Sequence, residues 1–216
     1  MNTTSFINDI KQFLPADRIY TDELRRLGWG TDASFYRQIP EVVIRSDGEE
    51  EISRIVALCH KHQLPYTFRA AGTSLSGQSC TESVLIVAGK HWEKWNLSAD
   101  QERITLQPGI VGGRVNEILK PFGRVFPPDP ASIGSAMVGG IVINNASGMN
   151  CGVHANSDRM LLSARIILTD GTVLDTGSEE SKEAFRKSHP EFIARIEALR
   201  DKVRADKELA DRITKK

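Results

Sequence analysis

Apolar and polar positions along the chain switch between a helical and a strand period, and the switches mark out its elements. Phe6, Ile7, Ile10, Phe13 and Leu14 recur at helical spacing until Pro15 stops them, which predicts an amphipathic helix over residues 4–14. A shorter helical piece covers residues 22–27, and Val42, Val43 and Ile44 read as a strand over 41–44. After the Ser46-Asp47-Gly48 turn, Ile52, Ile55, Val56 and Cys59 line one face of a helix, with Glu49, Glu50 and Glu51 at its positive N-terminal end. Tyr66, Thr67 and Phe68 form the next strand, which completes a β-α-β unit. Residues 84–87 and 103–106 read as further strands. Gly112-Gly113 opens a helix that turns Val115, Ile118 and Leu119 inward and ends at Pro121. Strands over 160–168 and 172–175 flank Asp170-Gly171, a hairpin signal. From Glu179 onward charges crowd in, and Phe192, Ile193, Ile196, Leu199 and Val203 leave one apolar stripe on a long helix. Residues 205–216 continue that helix with Leu209 and Ile213 on its apolar side, and its charges read as a solvated face.

Composition narrows the class. At 216 residues the chain holds one large domain or two small ones. Lys plus Arg and Asp plus Glu balance at 28 each, so overall charge gives no case for nucleic acid as a partner. No apolar run approaches the roughly 20 residues that span a bilayer. The first residues lack the basic start and apolar core of a secretory signal. Three cysteines, Cys59, Cys80 and Cys151, show no C-x-x-C spacing, which argues for a reducing compartment and against a zinc site. The expectation is a cytoplasmic chain, free or peripheral to the inner face of the membrane.

The densest chemistry lies in Phe68-Arg69-Ala70-Ala71-Gly72-Thr73-Ser74-Leu75-Ser76-Gly77-Gln78, at the carboxyl end of the second strand of the β-α-β unit. Open α/β sheets place ligands at such ends. Residues with little side-chain bulk let the backbone approach a ligand, and successive N–H groups form a nest for anions. Hydroxyls on Thr73, Ser74 and Ser76 add donors, and a diphosphate suits the arrangement best. The lysine of a nucleotide triphosphatase loop and the strict G-x-G-x-x-G of a dinucleotide turn are both missing. For Arg69 two readings stand level: a charge lent to the phosphates, or a surface ion pair.

Further segments follow in a characteristic order: Leu106-Gln107-Pro108-Gly109, Phe126-Pro127-Pro128-Asp129-Pro130-Ala131-Ser132, Met137-Val138-Gly139-Gly140 running to Asn144-Asn145-Ala146-Ser147-Gly148, and Arg165-Ile166-Ile167-Leu168-Thr169-Asp170-Gly171. With the 68–78 loop they resemble the FAD-binding domain of the vanillyl-alcohol-oxidase or PCMH type, most of all in D-lactate and D-2-hydroxyacid dehydrogenases. The resemblance runs from about Thr31 to about Thr176. It implies an α+β fold of two α/β subdomains: a helical segment over 1–36, the FAD domain over 37–178 and a charged helical tail over 179–216.

Under this resemblance Ala70, Ala71, Gly72, Thr73 and Ser74, closed by Gly77 and Gln78, hold the pyrophosphate. Pro128, Asp129 and Ser132 belong to a stiff wall beside the flavin ring, with a rigid connector as the alternative. Gly139, Gly140, Asn144, Ala146, Ser147 and Gly148 give bends and close backbone approach around the pyrophosphate and ring edge, and Pro108 and Gly109 also count among the cofactor-binding residues. Local turn capping is the alternative for Asn144 and Asn145. Gly152 and Asp158 match a Gly and an Asp that precede the next strand in the family, and Ile166 or Ile167 meets the adenine. Many relatives bind flavin covalently through a histidine in a Gly-Gly-His turn; Ala71-Gly72-Thr73 stands here, so dissociable FAD is expected. His154 reads as a structural group, His60, His62, His91 and His189 as surface residues, Cys59 as core, and Trp92 and Trp95 as packing.

Oxidising a 2-hydroxy acid also needs a base for the hydroxyl proton and a cation for the carboxylate. No residue here is assigned those roles or a metal. The resemblance places them in a later substrate domain, so an N-terminal fragment of a larger dehydrogenase is expected, inactive alone. In the whole protein, hydride would pass from C2 of D-lactate or a related acid to flavin N5, then as electrons to a quinone, cytochrome or iron–sulfur partner. The alternatives are a non-catalytic nucleotide-binding or interaction module and a flavin reductase that shares the FAD domain.

Overall fold

The computed structural model describes residues 3–88, 91–150, 152 and 154–215, and these divide into two units. The first runs to Leu162 and adds Ile167–Thr172; the second takes Ser163–Ile166 and the chain from Val173 onward. Among the described residues no helix is long and apolar enough to cross a membrane.

The first unit begins with α1 (Thr3–Ile10), β1 (Ile19–Tyr20) and α2 (Glu23–Gly28), then β2 (Val42–Ser46), α3 (Glu49–Lys61), β3 (Tyr66–Arg69) and β4 (Val84–Ala88). The four strands form one sheet in the order β1-β2-β4-β3, with β2, β4 and β3 parallel and β1 antiparallel at the edge. Its centre reads as continuous apolar runs because both faces are covered. Val42, Ile44, Val84 and Ile86 pack on one face with Phe6, Ile10, Ile55, Val56 and Cys59. Val43, Leu85 and Val87 pack on the other with Tyr20 and Trp29. Leu14 stays buried although α1 stops at Ile10, because turn hydrogen bonds carry the chain on to it.

A smaller second core follows in the same unit. It combines β5 (Trp95–Leu97) and β6 (Ile104–Leu106), an antiparallel pair, with α4 (Gly112–Leu119), α5 (Val138–Ile143) and α6 (Ser157–Met160). Ile110, Val115, Ile118, Leu119 and Val138 are its buried residues. Trp92 is buried, and its Nε1 donates to the Ser46 carbonyl at 2.8 Å.

Several details differ from the pattern reading. Residues 138–143 are helical rather than a set of bends, although Gly, Val and Ile are poor helix formers. Packing overrides propensity here: a Cβ on Gly139 would sit 2.7 Å from the Pro108 Cβ. Met160 closes α6 instead of opening a strand. His62 is not a surface residue: Nε2 pairs with Asp9 at 2.9 Å, and the ring meets Phe6 edge-on. The strand at 95–97 was hidden by its Asn and short length.

The second unit takes Arg165 and Ile166 of β7 (Arg165–Ile167), which forms a two-stranded sheet with β8 (Val173–Asp175), followed by α7 (Glu179–Ser188), α8 (Pro190–Ala205) and α9 (Lys207–Thr214). Phe185 is its buried anchor, stacked on His189 and edge-on to Phe192. The tail does not continue one helix. Asp206 breaks it, and its carboxylate caps α9 by accepting the Leu209 N–H at 3.0 Å.

One ion-pair group ties the start of the chain to the sheet. Arg18 grips Glu51 with two hydrogen bonds of 2.9 and 2.8 Å and also reaches Asp47 at 2.9 Å. Burial pushes the Glu51 carboxyl up, but bonds from Arg18 and the Asp47 N–H outweigh it and hold the group below the usual carboxylate range. A depressed folded pKa gives stability that is complete above the unfolded value and is lost as pH falls through the folded one. Glu51→Gln is therefore expected to lower the melting temperature at neutral pH and to flatten its decline on acidification, read by thermal denaturation across an acid pH series.

Candidate functional site

Because β3 and β4 are parallel, the chain leaving Arg69 must return along the sheet before β4 can begin. Residues 70–83 make that return without a helix or strand. Gly72 and Gly77 supply the bends at φ +72° and +73°. The Ser74 hydroxyl oxygen accepts from the N–H groups of Ser76 at 3.1 Å and Gln78 at 3.4 Å, and the Gly77 carbonyl accepts from Cys80 at 3.1 Å. Among the described residues, the N–H groups of Ala70, Ala71, Gly72, Thr73 and Ser74 have no acceptor within the chain. They are donors left for a ligand or for water.

A strap over residues 29–36 lies against this loop. The Ala33 N–H donates to the Gly72 carbonyl at 3.0 Å. Arg69 Nη1 donates to the carbonyls of Thr31 at 2.6 Å and Trp29 at 3.4 Å, and its guanidinium sits 5.2 Å from the Trp29 ring centre. Asp32 accepts from the Ser34 N–H at 2.8 Å and from the Ser79 hydroxyl at 3.1 Å. Tyr36 fills the space where a Cβ on Gly77 would go.

Arg69 is no surface ion pair. It is half-buried, no carboxylate among the described residues pairs with it, and its Nε is buried without a partner. Burial lowers its pKa, the mark of a cation held without full neutralisation. Its Nη2 would lie 2.4 Å from a Cβ on Gly72, so the charge sits directly against the nest.

A second cluster gathers residues from four segments. The Gly139 N–H donates to the Pro108 carbonyl at 2.9 Å, and Gly109 donates to Trp92 at 2.8 Å. A Cβ on Gly148 would fall 1.5 Å from the Asp129 carbonyl oxygen, so only glycine fits there. Asn150 Nδ2 reaches the Asp129 carboxylate at 2.5 Å. Pro128 and Pro130 are buried, and a turn through Ser132 brings its carbonyl to the Ala136 N–H at 2.7 Å. Asn144 caps locally, with Nδ2 on the Gly140 carbonyl at 3.0 Å. Asn145, at φ +45°, accepts from the Asp158 N–H at 3.0 Å, and the Ala146 N–H closes on Ile141. Ser147 and Gly152 are exposed, as is His154.

The hydrogen bonds named for this cluster run to Trp92 and among its own segments. Ile166 lies in β7 of the second unit. Cys151 falls outside the described residues. Cys59 is core, its thiol pushed up to about 12 by burial, and burial also raises Cys80. Pattern reading missed the strap. The signal for it was Asp32-Ala33-Ser34, an Asp two residues before a Ser, which is the spacing of an Asx turn.

The family model described as an FAD binding domain matches residues 40–177. Glycolate oxidase subunit GlcD of Bacillus subtilis is 30% identical over 73% of this chain and 34% of its own length. A D-2-hydroxyglutarate dehydrogenase of Haemophilus influenzae is 28% identical over 76% of this chain and 16% of its own. The chain thus spans about a third or less of these relatives. Among solved structures, an alkyldihydroxyacetonephosphate synthase superposes with a TM-score of 0.70 at 20% identity, over 84% of this chain and 36% of that one. A p-cresol methylhydroxylase superposes at 0.68 with 15% identity, over 82% and 38%. The fold is shared with these solved structures, and the chain belongs to the FAD-binding domain family.

Proposed function

We propose that this chain is the FAD-binding part of a flavin-dependent dehydrogenase that oxidises a 2-hydroxy acid. The observation that carries this reading is the row of unpartnered N–H groups at Ala70–Ser74 set against an unneutralised Arg69. A diphosphate needs hydrogen-bond donors and positive charge together, and the residues present fit that need.

In this reading Ala70, Ala71, Gly72, Thr73 and Ser74, with Gly77, Gln78 and Arg69, hold the diphosphate. Pro108, Gly109, Pro128, Asp129, Ser132, Gly139, Gly140 and the 144–148 turn shape the remainder of the cofactor cleft, with Gly152 and Asp158 beside it. FAD, when bound, accepts the hydride from the substrate's CH–OH carbon. The chain's own task is to hold the cofactor and keep it oriented. Thr73 stands where a covalent histidine would be needed, which supports a dissociable cofactor.

The substrate class rests on the relatives. Glycolate, 2-hydroxyglutarate and, in a probable zebrafish enzyme 29% identical over 69% of this chain, D-lactate share a hydroxyl on the carbon next to a carboxylate. The third substituent varies among them, so the shared chemistry is the 2-hydroxy acid. Glycolate and 2-hydroxyglutarate recur among these relatives, and D-lactate is the narrower member of the proposal.

Two outcomes are expected. Added FAD should give the purified chain a bound-flavin absorbance spectrum, and all of the flavin should leave the protein on denaturation; flavin retained by the denatured chain would refute the dissociable cofactor. Gly72→Asp should weaken FAD binding by at least about a hundredfold, since it strains a positive-φ position and puts a carboxylate beside a diphosphate. Fluorescence titration reads the affinity, and an unchanged value would remove the loop from the site.

A further inference from the structure

The strap over 29–36 presents a puzzle. It brings a carboxylate, Asp32, to the edge of a nest built for an anion, where like charge opposes binding. Asp32 is joined to both pieces of chain that must be aligned. Oδ1 accepts from the Ser34 N–H and fixes the strap's own turn, while Oδ2 accepts from Ser79 at the far end of the loop. Burial pushes the Asp32 carboxyl up, but bonds from Ser34 and Ser79 outweigh it and keep it ionised. Burial, with the Asp32 charge beside it, raises the neighbouring Cys80 thiol.

The geometry shows what this alignment accomplishes. In a trans peptide the carbonyl and the following N–H point in opposite directions. The Ala33 N–H holds the Gly72 carbonyl toward the strap, which turns the Thr73 N–H away from it. The Arg69 guanidinium is likewise aimed by carbonyls of the strap, those of Thr31 and Trp29, and is thereby held against Gly72. Without the strap, a stretch so rich in small residues has many conformations of similar energy, and binding would have to supply the ordering cost.

We propose that the 29–36 strap holds the 70–79 loop in its anion-accepting shape, with Asp32 as the positioning residue that locks strap to loop through Ser34 and Ser79. This deepens the FAD reading and rests on it for the identity of the ligand. The strap acts on the loop's shape whatever the ligand is.

The test compares Asp32→Ala, Asp32→Asn and Ser79→Ala by FAD affinity, by the ³¹P spectrum of bound FAD and by hydrogen exchange at the Ala33 and Cys80 amides, all on the full chain. Asn keeps an acceptor for Ser34 and a polar partner for Ser79 while removing the charge. Asp32→Ala should raise the dissociation constant about tenfold and shift the diphosphate resonances. Asp32→Asn should bind as well as the natural chain or better, and Ser79→Ala should fall between. Exchange at Ala33 and Cys80 should speed up in Asp32→Ala and stay slow in Asp32→Asn. A lower melting temperature in Asp32→Ala with unchanged affinity and ³¹P shifts would overturn the proposal, because the role would then be structural only. Equal weakening by Ala and Asn would overturn it as well, since charge rather than hydrogen bonding would be at work. If Asp32→Ala does not fold, Ser79→Ala must show both the weaker binding and the faster Ala33 exchange, or the proposal fails. If the natural chain binds no FAD, the cofactor reading fails by itself, and unchanged exchange in Asp32→Ala would then overturn the strap separately.

Discussion

The parallel pairing of β3 with β4 is the constraint on which the rest of the site depends. β4 is buried on both faces and bonded on both edges, to β2 and β3, so its place is fixed by the largest core in the chain. A parallel neighbour obliges the connecting chain to travel back along the sheet. The usual solution is a helix, which satisfies its own N–H groups. Here the return is irregular, and a run of N–H groups is left at the carboxyl edge of the sheet with no acceptor among the described residues.

An irregular return needs something to hold it, and the strap is what the fold provides. It reaches the loop from the chain between α2 and β2, and Trp29 at its start also packs on the sheet face formed by Val43, Leu85 and Val87. The loop is therefore tied to the same core that fixes β4. Arg69 belongs to both: as the last residue of β3 it is held in register with Val87, and its side chain ends among strap carbonyls. Its unneutralised charge is a cost that an anion in the nest would offset.

The second core works by close approach rather than by free donors. Gly139 against Pro108 and Gly148 against Asp129 join segments far apart in sequence without room for any side chain. This explains why a stretch with weak helix propensity is helical over Val138–Ile143. The helix is set by what it must fit against.

Much of this was legible in the sequence. The apolar runs at 42–44 and 84–87, the helical faces of α3 and α4, and the hairpin at Asp170-Gly171 were strong because each is a local pattern that burial on a known face produces. The small-residue loop and its neighbours in order also carried the FAD-binding family, since close backbone approach leaves glycine and alanine in fixed places. What only the tertiary structure decided was where polar groups find partners. Nothing in the sequence says that Arg69 finds no carboxylate among the described residues, that a half-buried His62 pairs with Asp9, or that Asp32 joins Ser34 to Ser79. Hydrophobic periodicity is a property of neighbouring residues, whereas a hydrogen bond across 47 positions, from Asp32 to Ser79, exists only once the sheet has brought its ends together.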